Sequence, residues 1–250
     1  MDEWQRARES TGEIEEVLRL VKRGLTMTRG QRDLEYRLSI AGEQRRKLKN
    51  SEIKDEVAIE KALLYPAGLS KECLIVKGKS ARRVLFISNA VALTGRAEGQ
   101  VETDLLGIDE EGTPVCGEVK RDDIDGKRPA NNPWYAVVEC AEQVGFLRAD
   151  RKHFLNDFKT KLKKVEGTSV ELQITQWSRS DRYTGAWGMV IAPACYWKME
   201  EYKNAVRLID QLNNRTKLRI CCVTYDRQNP KVLHLMAGHP PGRLRKLHTT

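Results

Sequence analysis

The sequence predicts a mixed α/β domain with an N-terminal helical segment, and three observations predict it. Helical and strand-like segments alternate from residue 51 onward, which argues for a sheet with helices around it. Two apolar runs, "VETDLLGID" and "TPVCGEVK", flank "EEG" and read as a β-hairpin. Residues 1–50 are charge-rich and carry their apolar residues at helical spacing.

The elements follow in order. Ser10 and Glu13 form a capping box ahead of Ile14, Val17, Leu18, Val21 and Leu25. Thr28 and Gln31 are placed to cap a second helix with Leu34, Leu38 and Ala41. The apolar stripe of this pair is narrow, which favours packing on the core over dimerisation or DNA contact. A helix is expected from Ser51 to Leu64, then strands near 72–77, 83–88, 101–108 and 114–120. Asn132 as N-cap and Pro133 at the first helical position open the next helix, which continues into the basic stretch "RADRKHFLNDFKTKLKKVEG". Strands near 169–177 and 186–194, a helix at 200–213, and strands near 217–225 and 231–236 complete the pattern. The basic tail "GHPPGRLRKLHTT" is expected to be mobile. The chain thus divides into an N-terminal helical segment, 1–50, and a domain with a basic tail, 51–250.

With 44 basic against 35 acidic residues the net charge is +9, which favours an anionic partner, nucleic acid before others. A basic surface without such a partner gives the same count. None of the six cysteines forms a C-x-x-C pair, which argues against a zinc ribbon or a cysteine-held cluster. Cys116, Cys140, Cys195, Cys221 and Cys222 lie in apolar surroundings, which predicts reduced, buried thiols in a cytoplasmic protein. The longest uncharged stretch, "TGAWGMVIAPACYW", is too short to span a bilayer and reads as a buried strand. The four histidines lack ligand spacing, and there is no Walker-type glycine loop.

The hairpin carries the chemistry. Glu118 and Lys120, two apart on a strand, share a face. The same Glu-x-Lys spacing recurs at Glu52–Lys54 and Glu201–Lys203, both on expected helices, so the tripeptide alone carries no weight. A three-residue loop, Glu110 to Gly112, brings Ile108 opposite Pro114, Leu106 opposite Cys116 and Asp104 opposite Glu118. Opposed side chains lie about 5 Å apart at Cβ, so the two carboxylates repel unless a cation sits between them. On the helix at 51–64, Glu60 lies inside the apolar arc of Ile53, Val57 and Leu64, with Glu56 at its rim. A glutamate there either serves a metal or partner, or the helix rolls and lets it reach solvent.

An acid-bearing helix, a strand with Asp, a hairpin, a strand with Glu-x-Lys and a following helix resemble the PD-(D/E)xK nuclease superfamily. The resemblance covers roughly residues 51 to 195 and implies a restriction-endonuclease-like αβββαβ core, a mixed central sheet flanked by helices. Asp104, Glu118 and Lys120 match its motif, and Glu60 (or Glu56) matches the acid many members carry on the first helix. Gln143 matches a glutamine some members place on the helix after the lysine strand, although it sits at the edge of that helix's apolar arc. Thr103 stands where the motif has proline.

The resemblance implies a metal-dependent deoxyribonuclease, an endonuclease or nickase. Mg²⁺ or Mn²⁺ would be held by Asp104, Glu118, the Val119 carbonyl and Glu60, with Lys120 activating water. Arg121 and Lys127 follow the motif directly; Arg148, Arg151, Lys152, Lys159, Lys163 and Lys164 form the densest basic region, either a phosphate-binding run or a solvated helix face. Trp134 and Tyr135 either stack bases at the mouth or pack at a helix start. A homodimer is compatible with the family pattern. The alternative is a non-catalytic nucleic-acid-binding or regulatory protein on a nuclease-like fold.

Overall fold

The computed structural model describes residues 3–26, 56–64, 73–93, 101–111, 113–121, 132–149, 185–198, 200–216, 218–225, 230–241 and 244–246. The helix expected after Thr28, the strand expected at 169–177 and the basic stretch after Ala149 lie outside these residues.

The described residues form five α-helices and eight strands: α1 Glu3–Glu9, α2 Ile14–Thr26, α3 Glu56–Leu63, β1 Cys73–Lys77, β2 Ser80–Ala92, β3 Glu102–Asp109, β4 Pro114–Val119, α4 Pro133–Ala149, β5 Trp187–Ala192, α5 Tyr202–Arg215, β6 Ile220–Tyr225, β7 Val232–Gly238 and β8 Arg245–Lys246. The strands lie in the order β1-β7-β6-β5-β4-β3-β2, and β2 also pairs with β1. That last pairing closes the ring.

The expected open, helix-flanked sheet of a restriction-endonuclease-like core is therefore wrong: the strands form a closed, mixed seven-stranded barrel. The cause is the length and course of β2. Its 13 residues pair with β1 from Ser80 to Val84 and with β3 from Val84 to Ala92, with a bulge between Phe86 and Ser88. At its start, Gly78 at φ 58° makes the tight β1–β2 turn, Lys77 facing Ser80. Strand β1 then pairs in parallel with β7 and completes the wall. Tail residues Arg245 and Lys246 are also ordered, against Ala81 and Ser80 of β2.

Alternation along the strands sorts the two cores. Ile75, Val84, Phe86, Leu105, Val115, Val119, Trp187, Met189, Ile191, Val223 and Leu233 fill one cluster, with Ile59 and Leu63 of α3 packed into it. The opposite face of the wall carries Leu106, Ile108, Cys116 and Val190, covered by α1, α2, α4 and α5. Val17, Leu18, Leu20 and Val21 of α2 are buried there, so the N-terminal helices share one core with α4.

Inside the first cluster Arg82 and Asp109 form a buried ion pair at 3.0 Å, and the Trp187 indole N–H donates to the same Asp109 oxygen at 3.0 Å. Cys195 is exposed, against the burial expected of it, because it lies in the turn after β5 rather than within the strand; the other five cysteines are buried and all six are free.

Candidate active site

The β3–β4 hairpin sets the site. Its ladder pairs Leu105 with Gly117, Leu106 with Cys116, Gly107 with Val115 and Ile108 with Pro114, the register of a three-residue loop. Asp109 stitches the turn: its Oδ1 accepts from the N–H groups of Glu111 at 3.0 Å and Thr113 at 2.8 Å. Gly112 lies outside the described residues. One residue beyond the ladder, Asp104 turns its carboxylate onto β4, where Oδ2 accepts the Val119 N–H at 2.7 Å.

Glu118 and Lys120 project to the α4 side, the face opposite Val115 and Val119. Lys120 Nζ lies 2.5 Å from Glu118 Oε1 and 3.3 Å from Glu139 Oε2. Gln143 Nε2 donates to Glu118 Oε2 at 2.5 Å and to the Glu102 carbonyl at 2.9 Å. Both partners are acceptors, so the amide nitrogen faces them and the orientation of the group is settled by its bonds. Helix α4 comes this close because Gly188 on β5 leaves room: a Cβ there would meet Cys140 Sγ at 2.4 Å and Val144 at 2.6 Å.

The electrostatics follow from packing three acids around one ammonium away from water. Burial raises the Glu118 carboxyl well above the usual range, and the charges of Asp104 and Glu139 add to this against the pull of Lys120. Burial works to lower Lys120, but Glu118, Glu139 and Asp104 outweigh it and hold the side chain as an ammonium. Burial raises Glu139 too, but Lys120, a hydrogen bond with Glu118 and Arg8 bring it below its ordinary value. The two directions at Glu118 and Lys120 are compatible: with more carboxylates than cations, the lysine keeps its proton and Glu118 is the acid that resists ionisation.

These residues suit a hard divalent cation in donor chemistry. Asp104 and Glu118 offer carboxylate oxygens, the site carries surplus negative charge, and the buried Gln143 Oε1 has no hydrogen-bond partner among the described residues. They do not form a complete cage. Among the described residues no three His, Cys, Asp or Glu side chains are placed to hold a metal ion. Glu60, expected as a ligand, is buried on α3, whose Ile59 and Leu63 pack into the cluster on the other face of β4, and among the described residues it does not join Asp104 and Glu118 in such a group. The Glu56 side chain lies outside those described.

Of the expected nucleic-acid contacts, Arg121 directly follows Lys120 and is half-buried. Arg148 is nine residues beyond Glu139 on α4, about 13 Å along the axis, with its guanidinium against Gly185 before β5. The structure does not bring it to the pair. Lys127, Arg151, Lys152, Lys159, Lys163 and Lys164 lie outside the described residues. Trp134 is fully buried and donates its indole N–H to the Ala7 carbonyl at 2.9 Å, so it packs and does not stack bases. Tyr135 is half-buried, with the Arg8 guanidinium 5.6 Å from its ring centre.

Two site-side residues were not anticipated. Glu139 stands one helical turn before Gln143, so the i, i+4 spacing was a usable signal once Gln143 was chosen. Arg8 arrives from α1 to pair with Glu142, and its charge also bears on Glu139. Nothing in the local sequence announces that docking. No family model, curated protein or solved structure matches this chain.

Proposed function

We propose that the chain is a metal-dependent phosphodiesterase that hydrolyses DNA, as an endonuclease or nickase. The observation that supports this reading is the gathering of Asp104, Glu118, Lys120 and Gln143 at the carboxyl end of β4, against α4. The reading rests on the site and not on the fold, since the closed barrel departs from the architecture the motif implied.

Asp104 and Glu118 would hold Mg²⁺ or Mn²⁺, with the Val119 carbonyl beside them. A bound cation would supply Lewis-acid activation of phosphate and water. Lys120, kept protonated by its carboxylate neighbours, would orient the attacking water and offset charge on the phosphorane-like transition state. Gln143 holds the Glu118 carboxylate and leaves its own carbonyl oxygen available to a water or ligand. The basic balance of the chain, +9, supplies attraction to a polyanion.

The test is incubation with plasmid DNA, single-stranded DNA and RNA in Mg²⁺, Mn²⁺ or EDTA. Metal-dependent cleavage of DNA leaving 5′-phosphates is expected. Binding without cleavage in any metal would favour the non-catalytic nucleic-acid-binding alternative, and cleavage confined to RNA would correct the substrate class.

A further inference from the structure

Strand β5 lies parallel to β4, with Ile191 beside Val119, and the Lys120 N–H donates to the Ile191 carbonyl at 2.8 Å. Four residues past the end of β5, Tyr196 opens a 3-10 turn, Tyr196–Lys198. It therefore lies just beyond the strand ends that carry Glu118 and Lys120, the edge at which parallel strands present ligand sites. The turn is firmly held: the Tyr196 N–H donates to the Pro193 carbonyl at 3.0 Å, the ring meets Trp197 edge-on with centroids 5.0 Å apart, and the Trp197 indole N–H donates to the Val223 carbonyl at 3.3 Å.

Tyr196 is 4% exposed, yet its hydroxyl has no hydrogen-bond partner among the described residues. Tyr196 packs in the cluster with Cys116, Val190 and α4, on the side of the wall to which Glu118 and Lys120 project, and the charges of Lys120, Glu118 and Glu139 bear on its hydroxyl. A buried, unpaired hydroxyl is a standing penalty that a phenylalanine of the same shape would avoid. The group is a neutral donor on the same side of the wall as an ammonium, and the natural complement of such a pair is an anionic oxygen.

Resting on the phosphodiesterase reading, we propose that Tyr196 is a further substrate-contacting residue, whose hydroxyl donates a hydrogen bond to a non-bridging phosphate oxygen next to Lys120. The contact strengthens as negative charge grows on that oxygen in the transition state, so its effect falls chiefly on kcat.

The test compares full-length wild type, Tyr196→Phe and Trp197→Phe on a fluorogenic oligodeoxynucleotide in Mg²⁺ or Mn²⁺, with the thermal midpoint of each. Tyr196→Phe is expected to lower kcat tenfold or more and to change KM less than threefold, with a midpoint unchanged or higher. Trp197→Phe loosens the same turn and is expected to lower the midpoint while keeping kcat within threefold; rates are read well below each midpoint. Equal losses of kcat in both variants, or a Tyr196→Phe enzyme as fast as wild type, would overturn the assignment and leave the phosphodiesterase reading standing. A wild type inert on every nucleic acid would overturn both.

Discussion

Lys120 Nζ sits 2.5 Å from Glu118 Oε1 on the face of β4 turned towards α4, and Glu139 closes on the same ammonium at 3.3 Å. Lys120→Ala removes the cation from among three carboxylates, and Asp104→Ala removes the acid opposite Glu118. Each is expected to reduce DNA cleavage by about 10²–10⁴-fold. Binding of uncleaved DNA in EDTA should change little, because the polyanion is held by many dispersed charges. Gel-shift titrations beside cleavage assays read both quantities. Cleavage that survives both substitutions would remove the site assignment.

Gln143→Leu tests whether the amide acts by holding Glu118. The substitution keeps the volume of a fully buried side chain but deletes the bonds to Glu118 and to the Glu102 carbonyl. Loss of a group that orients a metal-binding carboxylate costs about 10–100-fold in activity or metal affinity. A rise in the Mg²⁺ concentration needed for half-maximal rate is expected. An unchanged metal requirement would assign Gln143 to packing alone.

Arg82 and Asp109 act on the site from a distance. Both side chains are fully buried, and Asp109 also holds the turn that fixes the β3–β4 register. Arg82→Met strands a carboxylate that burial already pushes up in pKa, at a cost of about 3–5 kcal/mol in urea unfolding. Adding Asp109→Asn removes the stranded charge and should recover most of that loss. An Arg82→Met protein as stable as wild type would show that the pair contributes nothing net.

The hairpin was legible in the sequence because its information is local. A turn flanked by two alternating runs admits few registers, and the register alone places Asp104 opposite Glu118 and puts Lys120 on the same face. Barrel closure was not legible, because it depends on β2 bending to serve both β1 and β3, and on β1 meeting β7 from the far end of the chain. Neither event has a local period. The apolar arc of α3 left open whether Glu60 is buried or reaches solvent; it is buried, and Ile59 and Leu63 of the same helix pack into the cluster on the other face of β4, a choice set by how α3 docks. The docking of Arg8 onto α4 likewise joins residues 134 positions apart.

Cysteine reactivity gives a check on the strand ends. Burial pushes the Cys116 thiol up to about 12 and raises Cys140 and Cys222 well above the usual value. Cys195 alone is exposed. One thiol per native chain should react with a thiol reagent at neutral pH, and Cys195→Ser should abolish that reaction. All six should react in denaturant. Reaction of a second native thiol would show that the wall between β4, β5 and β6 opens on the labelling timescale.

The N-terminal helices give the pH prediction. Glu15 of α2 is bonded by Arg215 of α5, one contact being 3.0 Å, and Glu3 of α1 by Arg23. A hydrogen bond from Arg215 lowers the Glu15 carboxyl from its usual 4.5, and a bond from Arg23 lowers Glu3 in the same way. A carboxyl held lower in the folded state stabilises fully above the unfolded pKa and loses that contribution as pH falls through the folded one. Glu15 is exposed and Glu3 is half-buried at the surface, so the effect should be modest and screened by salt. Hydrogen exchange of α1 and α2 amides, corrected for intrinsic rate, should therefore show protection that is flat from pH 7 to 5 and falls below about 4.5. Arg215→Ala should flatten the part of that fall due to Glu15, and 1 M salt should flatten both parts. Protection that instead improves on acidification would show that these surface pairs do not govern the docking of the two helices.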